Sequence, residues 1–202
     1  MKQDKLRIMV VSAMLVALSF VVAMFFPKFQ IPPAFSYTIA SHVPTLIACF
    51  VNPWAALLTA VGAAVGFFFS TGNPLIVARA LVHAIFAVLL WFFLKKGMNR
   101  FLALGISGVI HGLSEALVVL ALVGPLAGFK VKVNGEIQDL LASGTLFYYS
   151  FIIVGVGTVI SHVIDSVITL PCVTALEKAR LIPRIGLKKP AAPKPDAKPS
   201  TV

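Results

Sequence analysis

The run Leu75-Ile76-Val77-Ala78-Arg79-Ala80-Leu81-Val82-His83-Ala84-Ile85-Phe86-Ala87-Val88-Leu89-Leu90-Trp91-Phe92-Phe93-Leu94 holds one formal charge, Arg79, and one imidazole, His83, in an otherwise apolar string. Wound as a helix rising about 1.5 Å per residue, some 20 apolar residues cover a hydrocarbon layer of roughly 30 Å. The run is bounded like a membrane span. Thr71-Gly72-Asn73-Pro74 turns the chain into it and Lys95-Lys96 closes it, so a transmembrane helix is expected over 75–94.

Outward from this segment, apolar runs of similar kind recur over 8–26, 37–51, 54–70, 101–123 and 146–170. Pro27 ends the first, and Lys28-Phe29-Gln30-Ile31-Pro32-Pro33 follows as a loop whose prolines cannot continue a helix. The second run is short and carries Pro44 near its start; Asn52-Pro53 turns into the third. The stretch 124–144 reads as the longest internal loop, with Lys130, Lys132, Glu136 and Asp139. The expected fold is therefore all-α: one bundle of about six transmembrane helices over 1–187, followed by a disordered Lys/Pro/Ala tail over 188–202 that cannot bury apolar surface.

Composition agrees. The 202 residues are 59% hydrophobic and only 12% charged, about half the charge of an ordinary soluble domain. Net charge is +10, yet the basic residues cap apolar runs instead of lining a polar face, which argues against nucleic acid. Lys2, Lys5 and Arg7 at the start, Lys95, Lys96 and Arg100 between the fourth and fifth runs, and the basic C-terminal end fall on one side of six crossings; Lys28, Lys130 and Lys132 fall on the other. The positive-inside rule then puts both termini in the cytoplasm and the two long loops outside, where they can cover a site. The apolar stretch after the basic start continues to Phe26 without a small-residue cleavage site, so it is expected to be a retained helix and not a signal peptide. Cys49 and Cys172 lie inside apolar runs, with no metal-ligand spacing and no disulfide expected; both read as core residues. Neither a metal site nor a cofactor is expected.

Polar groups inside the runs are costly in lipid and mark function. Arg79 and His83 share a helix face at i, i+4, as do His111 and Glu115 on the fifth helix; His162 and Asp165 lie at i, i+3 on the sixth. Tyr148 and Tyr149 mark the outer end of the sixth, and Asn73 the outer turn before the fourth. These residues suggest an outward pocket among helices four, five and six: Arg79 binds an anion, with His83, His111, Glu115, Asn73, Tyr148 and Tyr149 as further contacts. The plainer alternative is that Arg79 and Glu115 pair as a structural bridge; the two readings can coexist. Gly62 with Gly66, Gly108 with Gly112, and Ala13 with Ala17 have small-xxx-small spacing, which permits close helix approach.

Residues 5 to 182 resemble the substrate-binding membrane subunits, or S components, of bacterial energy-coupling-factor vitamin transporters. Ser12-Ala13-Met14-Leu15-Val16-Ala17-Leu18 looks like that family's Ala-xxx-Ala motif on the first helix. Ala40-Ser41-His42-Val43-Pro44 through Asn52-Pro53-Trp54, followed by Arg79-Ala80-Leu81-Val82-His83, looks most like niacin- or pantothenate-type members. The resemblance implies a plasma-membrane subunit that captures a carboxylate B vitamin from outside. It further implies docking through Ala13 and Ala17 on a transmembrane coupling subunit driven by two ATPases. Consistently, no Gly-xxxx-Gly-Lys-Ser/Thr phosphate loop occurs, so the chain is not expected to be an enzyme. Two rivals come from other classes. A self-sufficient small-solute transporter or channel would relay protons through the acids and histidines. A rhomboid-like intramembrane protease would use Ser107 of Gly105-Ile106-Ser107-Gly108 and His162 of Gly157-Thr158-Val159-Ile160-Ser161-His162.

Overall fold

A computed structural model describes residues 2–127 and 133–185. The tail expected over 188–202, and Lys130 and Lys132 of the long loop, lie outside the described residues. Among the described residues, five helices are long and apolar enough to cross a membrane. They are α1 (Lys2–Phe25), α3 (Pro53–Thr71), α4 (Pro74–Lys95), α5 (Arg100–Ala127) and α7 (Leu146–Lys178). Their outward faces carry exposed Met14, Phe68, Leu81, Val109 and Val167, as expected of side chains that meet lipid. The chain is an all-α, multi-pass membrane protein with one small hairpin.

The second expected helix, 37–51, does not form as one continuous helix. Its place is taken by an antiparallel hairpin, β1 (Lys28–Ile31) with β2 (Phe35–Thr38), followed by the seven-residue α2 (Val43–Cys49). The physical reason is local. Pro44 fits only the first turn of a helix, where its missing N–H costs nothing, and Ala40 just before adopts a left-handed φ of 61°. Phe35, Tyr37 and Thr38 favour a pleated strand. Every residue of α2 is buried, so its run is apolar all round because it sits at the bundle centre, not because it faces lipid.

The long helices explain why α2 must run back through the middle. Gly62 lies against Val16 and Ser19, and Gly66 against Phe20 and Ala23, so α1 and α3 run side by side in the same direction. A Cβ on Gly66 would stand 2.6 Å from the Phe20 carbonyl oxygen, and only glycine allows this approach. The hairpin and α2 therefore return the chain across the bundle between two parallel helices. Asn52 closes the return: it caps α3 by accepting from Ala55 N at 2.8 Å and donates to Ser12 Oγ on α1 at 3.2 Å. At the hairpin end, Lys28 donates to the Met24 carbonyl in the last turn of α1 and to the Phe26 carbonyl just past its end, both at 3.2 Å, and burial lowers its pKa.

At the opposite end Arg100 of α5 grips Glu177 of α7 at 2.5 and 3.1 Å and the Ile185 carbonyl at 2.6 and 2.9 Å. Arg7 and Ile8 line a pocket with Glu177, Arg180 and Arg184 there, so the start of α1 and the end of α7 meet at one end of the bundle. Two further expectations change. The stretch 124–144 is not all loop, since α5 continues to Ala127 and α6 (Asn134–Ala142) packs Ile137 and Leu140 inward. Cys49 is buried but Cys172 is exposed on α7, where an apolar side chain next to Pro171 faces outward.

Candidate functional site

Arg79 sits in the second turn of α4, 6% exposed, and spends every nitrogen of its guanidinium. Nε and Nη2 donate to Glu115 Oε2 on α5 at 3.0 and 2.5 Å, and Nη1 donates to the Ala34 carbonyl in the hairpin turn at 2.6 Å. Nη2 also lies 3.3 Å from Thr158 Oγ1 on α7, whose hydroxyl donates to the same carboxylate oxygen. The Phe35 ring lies 5.5 Å from the guanidinium carbon and packs on Gly157, which has no side chain to obstruct it. One arginine thus joins α4, α5, α7 and the hairpin. The structural bridge weighed against a binding role is formed.

The other oxygen of Glu115 faces imidazoles. His83 Nε2 lies 3.0 Å from Oε1, and His111 Nε2 3.3 Å from it without hydrogen-bond alignment. The rings of His42, His83 and His111 meet edge to face, with centroids 4.8 to 4.9 Å apart, over Phe86. His111 Nδ1 is 3.1 Å from His162 Nδ1, and His162 Nε2 is 3.3 Å from Ser107 Oγ. Asp165 does not pair with His162 despite their spacing; it takes His42 Nδ1 at 2.8 Å and the backbone N–H groups of His42 and Ala40 at 3.0 and 3.2 Å, fixing the entry to α2. His83 Nδ1 and His111 Nε2 are buried with no hydrogen-bond partner. Each such orphan costs about 1–3 kcal/mol.

The remaining expected residues divide. Tyr149 turns inward on the π-helical stretch Tyr149–Val156 of α7; its hydroxyl accepts from Ala34 N at 2.9 Å and Phe35 N at 2.8 Å and donates to the Ile31 carbonyl. Asn73 caps α4 at Leu75 N and donates to the Pro33 carbonyl at 2.7 Å. Asn73, Tyr149 and Arg79 therefore hold the same 31–35 turn over the Arg79–Glu115 pair, as a lid is held. Tyr148 is 59% exposed and points away from the site. Ala13 and Ala17 lie on the exposed face of α1, away from α3. His42, Thr158, Phe35 and Phe86 join the site without having been chosen from the sequence. His42 lies in the 40–44 stretch that resembles niacin- or pantothenate-type members, two residues before Pro44 at the head of an apolar run.

Ser107 and His162 do approach each other, as the protease alternative requires, but the hydroxyl proton is engaged elsewhere. Ser107 Oγ donates to the Leu104 carbonyl at 2.9 Å, and the far nitrogen of His162 meets another imidazole.

Neither a protein-family model nor a solved structure matches the chain. The niacin transporter NiaX of Lactococcus lactis subsp. cremoris (strain MG1363) is 30% identical over 186 residues, covering 88% of this chain and 78% of the relative. The chain belongs to the family of niacin transporters to which NiaX belongs, the niacin-type S components.

Proposed function

We propose that this chain is the substrate-binding S component of an energy-coupling-factor transporter and that it captures niacin, as its carboxylate, from outside a bacterial plasma membrane. Six crossings place both termini in the cytoplasm, α2 with its hairpin making one of the six. The observation that carries the reading is the position of Arg79, a buried guanidinium under a lid built from the chain's own first loop. An arginine at membrane depth is retained for a partner, and a planar carboxylate matches its fork. Entry of the vitamin requires the 31–35 turn to lift. Lifting frees Nη1 from the Ala34 carbonyl and moves the Phe35 ring off the guanidinium. The carboxylate of the vitamin then takes the freed donor, and the pyridine ring takes the aromatic space beside Phe86, His83 and His111.

Uptake against a gradient then depends on a coupling subunit with two ATPase subunits. Ala13 and Ala17 are the proposed docking positions. In support, an apolar groove of about 800 Å³ runs along the exposed face of α1, lined by Val10, Met14, Ala17 and Val21 with Leu176 and Leu181. Titration calorimetry of the detergent-purified chain against nicotinate, pantothenate and thiamin tests the binding role. Tight uptake of nicotinate is expected; silence across the panel overturns it.

A further inference from the structure

At the bundle centre one guanidinium, Arg79, and the imidazoles face two carboxylates, Glu115 and Asp165, all buried. A bound carboxylate vitamin adds another negative charge, and a buried unpaired charge is strongly disfavoured. The same centre holds three convergent imidazoles. One ring nitrogen from each of His42, His83 and His111 lies within 4.8 Å of the others.

Carboxylates stand behind two of the three rings, as they do behind ligating histidines. His42 leans its Nδ1 on Asp165 at 2.8 Å and His83 its Nε2 on Glu115 at 3.0 Å. A carboxylate behind a ligating histidine fixes the tautomer and leaves the opposite nitrogen with a lone pair. In His83 that opposite atom, Nδ1, is buried and has no partner. An ion held at about 2.0–2.1 Å by each nitrogen draws them in to roughly 3.3 Å from one another. Three imidazoles with an open fourth position suit a divalent first-row ion such as Zn2+.

We infer that His42, His83 and His111 bind a divalent transition-metal ion, and that its open position receives the ring nitrogen of the pyridine carboxylate held by Arg79. No metal site is expected from the sequence, because these ligands come from three separate segments. The second half of the inference rests on the niacin reading. Glu115 carries Arg79 on one oxygen and His83 and His111 on the other, so one carboxylate links the guanidinium to the imidazoles. The divalent charge offsets the incoming anion. The site then distinguishes nicotinate from benzoate, which has the same carboxylate and shape but no ring nitrogen.

The test uses the full chain in detergent, stripped with a chelator and titrated with Co2+ as a spectroscopic stand-in for Zn2+. One equivalent of Co2+ with tetrahedral d–d bands is expected; nicotinate shifts the bands and benzoate does not. His42→Ala, checked for monodispersity, abolishes the bands, and Asp165→Asn lowers Co2+ affinity by about 10–100-fold. Nicotinate binding by the unaltered chain falls sharply in chelator. Full-affinity nicotinate binding in chelator, or bands that ignore nicotinate while it binds, overturns the inference and leaves the niacin reading standing. Co2+ binding with no response to nicotinate in calorimetry or spectrum sinks the niacin reading and the ring-nitrogen ligand, while supporting the metal site.

Discussion

Arg79 Nη1 donates to the Ala34 carbonyl at 2.6 Å while the rest of the same guanidinium holds Glu115. The lid and the central ion pair are therefore closed by one side chain, and whatever competes for Arg79 loosens both. This coupling means that structural and binding roles cannot be separated by a single deletion.

Arg79→Ala should abolish nicotinate binding and destabilise the chain by about 3–5 kcal/mol, because Glu115 is left charged and unpaired in the bundle. The double substitution Arg79→Met with Glu115→Leu removes both charges and should recover most of that stability while binding stays lost. Thermal unfolding in detergent alongside calorimetry reads the two effects. If the double variant bound nicotinate normally, Arg79 would be a structural bridge alone.

Tyr149→Phe removes the hydroxyl that serves Ile31, Ala34 and Phe35 but leaves the ring in place. Two buried backbone N–H groups lose their acceptor, a local cost of about 1–3 kcal/mol. Faster hydrogen exchange confined to residues 28–38 is expected, with faster nicotinate release and little change in the long helices. Protection that stays at its original level would show that Tyr149 does not hold the lid.

The glycines of the membrane helices divide sharply by what a side chain would meet. Gly66→Ala drives a methyl against the Phe20 carbonyl and Ala23 and should cost about 1–3 kcal/mol as α1 and α3 separate. Gly105→Ala meets nothing within 4 Å and should stabilise by up to about 1 kcal/mol through helix propensity. Equal midpoints for the two variants in thermal unfolding would contradict the parallel α1–α3 packing.

Legibility followed the nature of each signal. Length and apolarity were enough for α1, α3, α4, α5 and α7, because a helix facing lipid must be apolar over its full span. They misled at 37–51, where α2 is apolar because protein surrounds it, and at 124–144, where Asn134–Ala142 buries only Ile137 and Leu140. Arg79 and Glu115 stood out as charges in an oily run. Their partners did not: Ala34 contributes only a carbonyl, Thr158 a common hydroxyl, and His42 reaches the centre through a chain reversal that spacing within one helix cannot encode.

Ala13 and Ala17 lie on α1 away from its packed face, which presents Leu15, Ser19, Val22 and Ala23 inward. Neither methyl touches the binding centre, so enlarging them leaves the site intact. A small-residue stripe lets another helix approach closely, and a bulky side chain there holds it off. Ala13→Trp and Ala17→Trp should therefore bind nicotinate as the unaltered chain does, yet fail in whole-cell uptake of labelled nicotinate. Ala23→Trp, aimed into the α1–α3 contact instead, should lose folding and binding together. Normal uptake by both Trp variants would mean that the partner meets another face of the bundle.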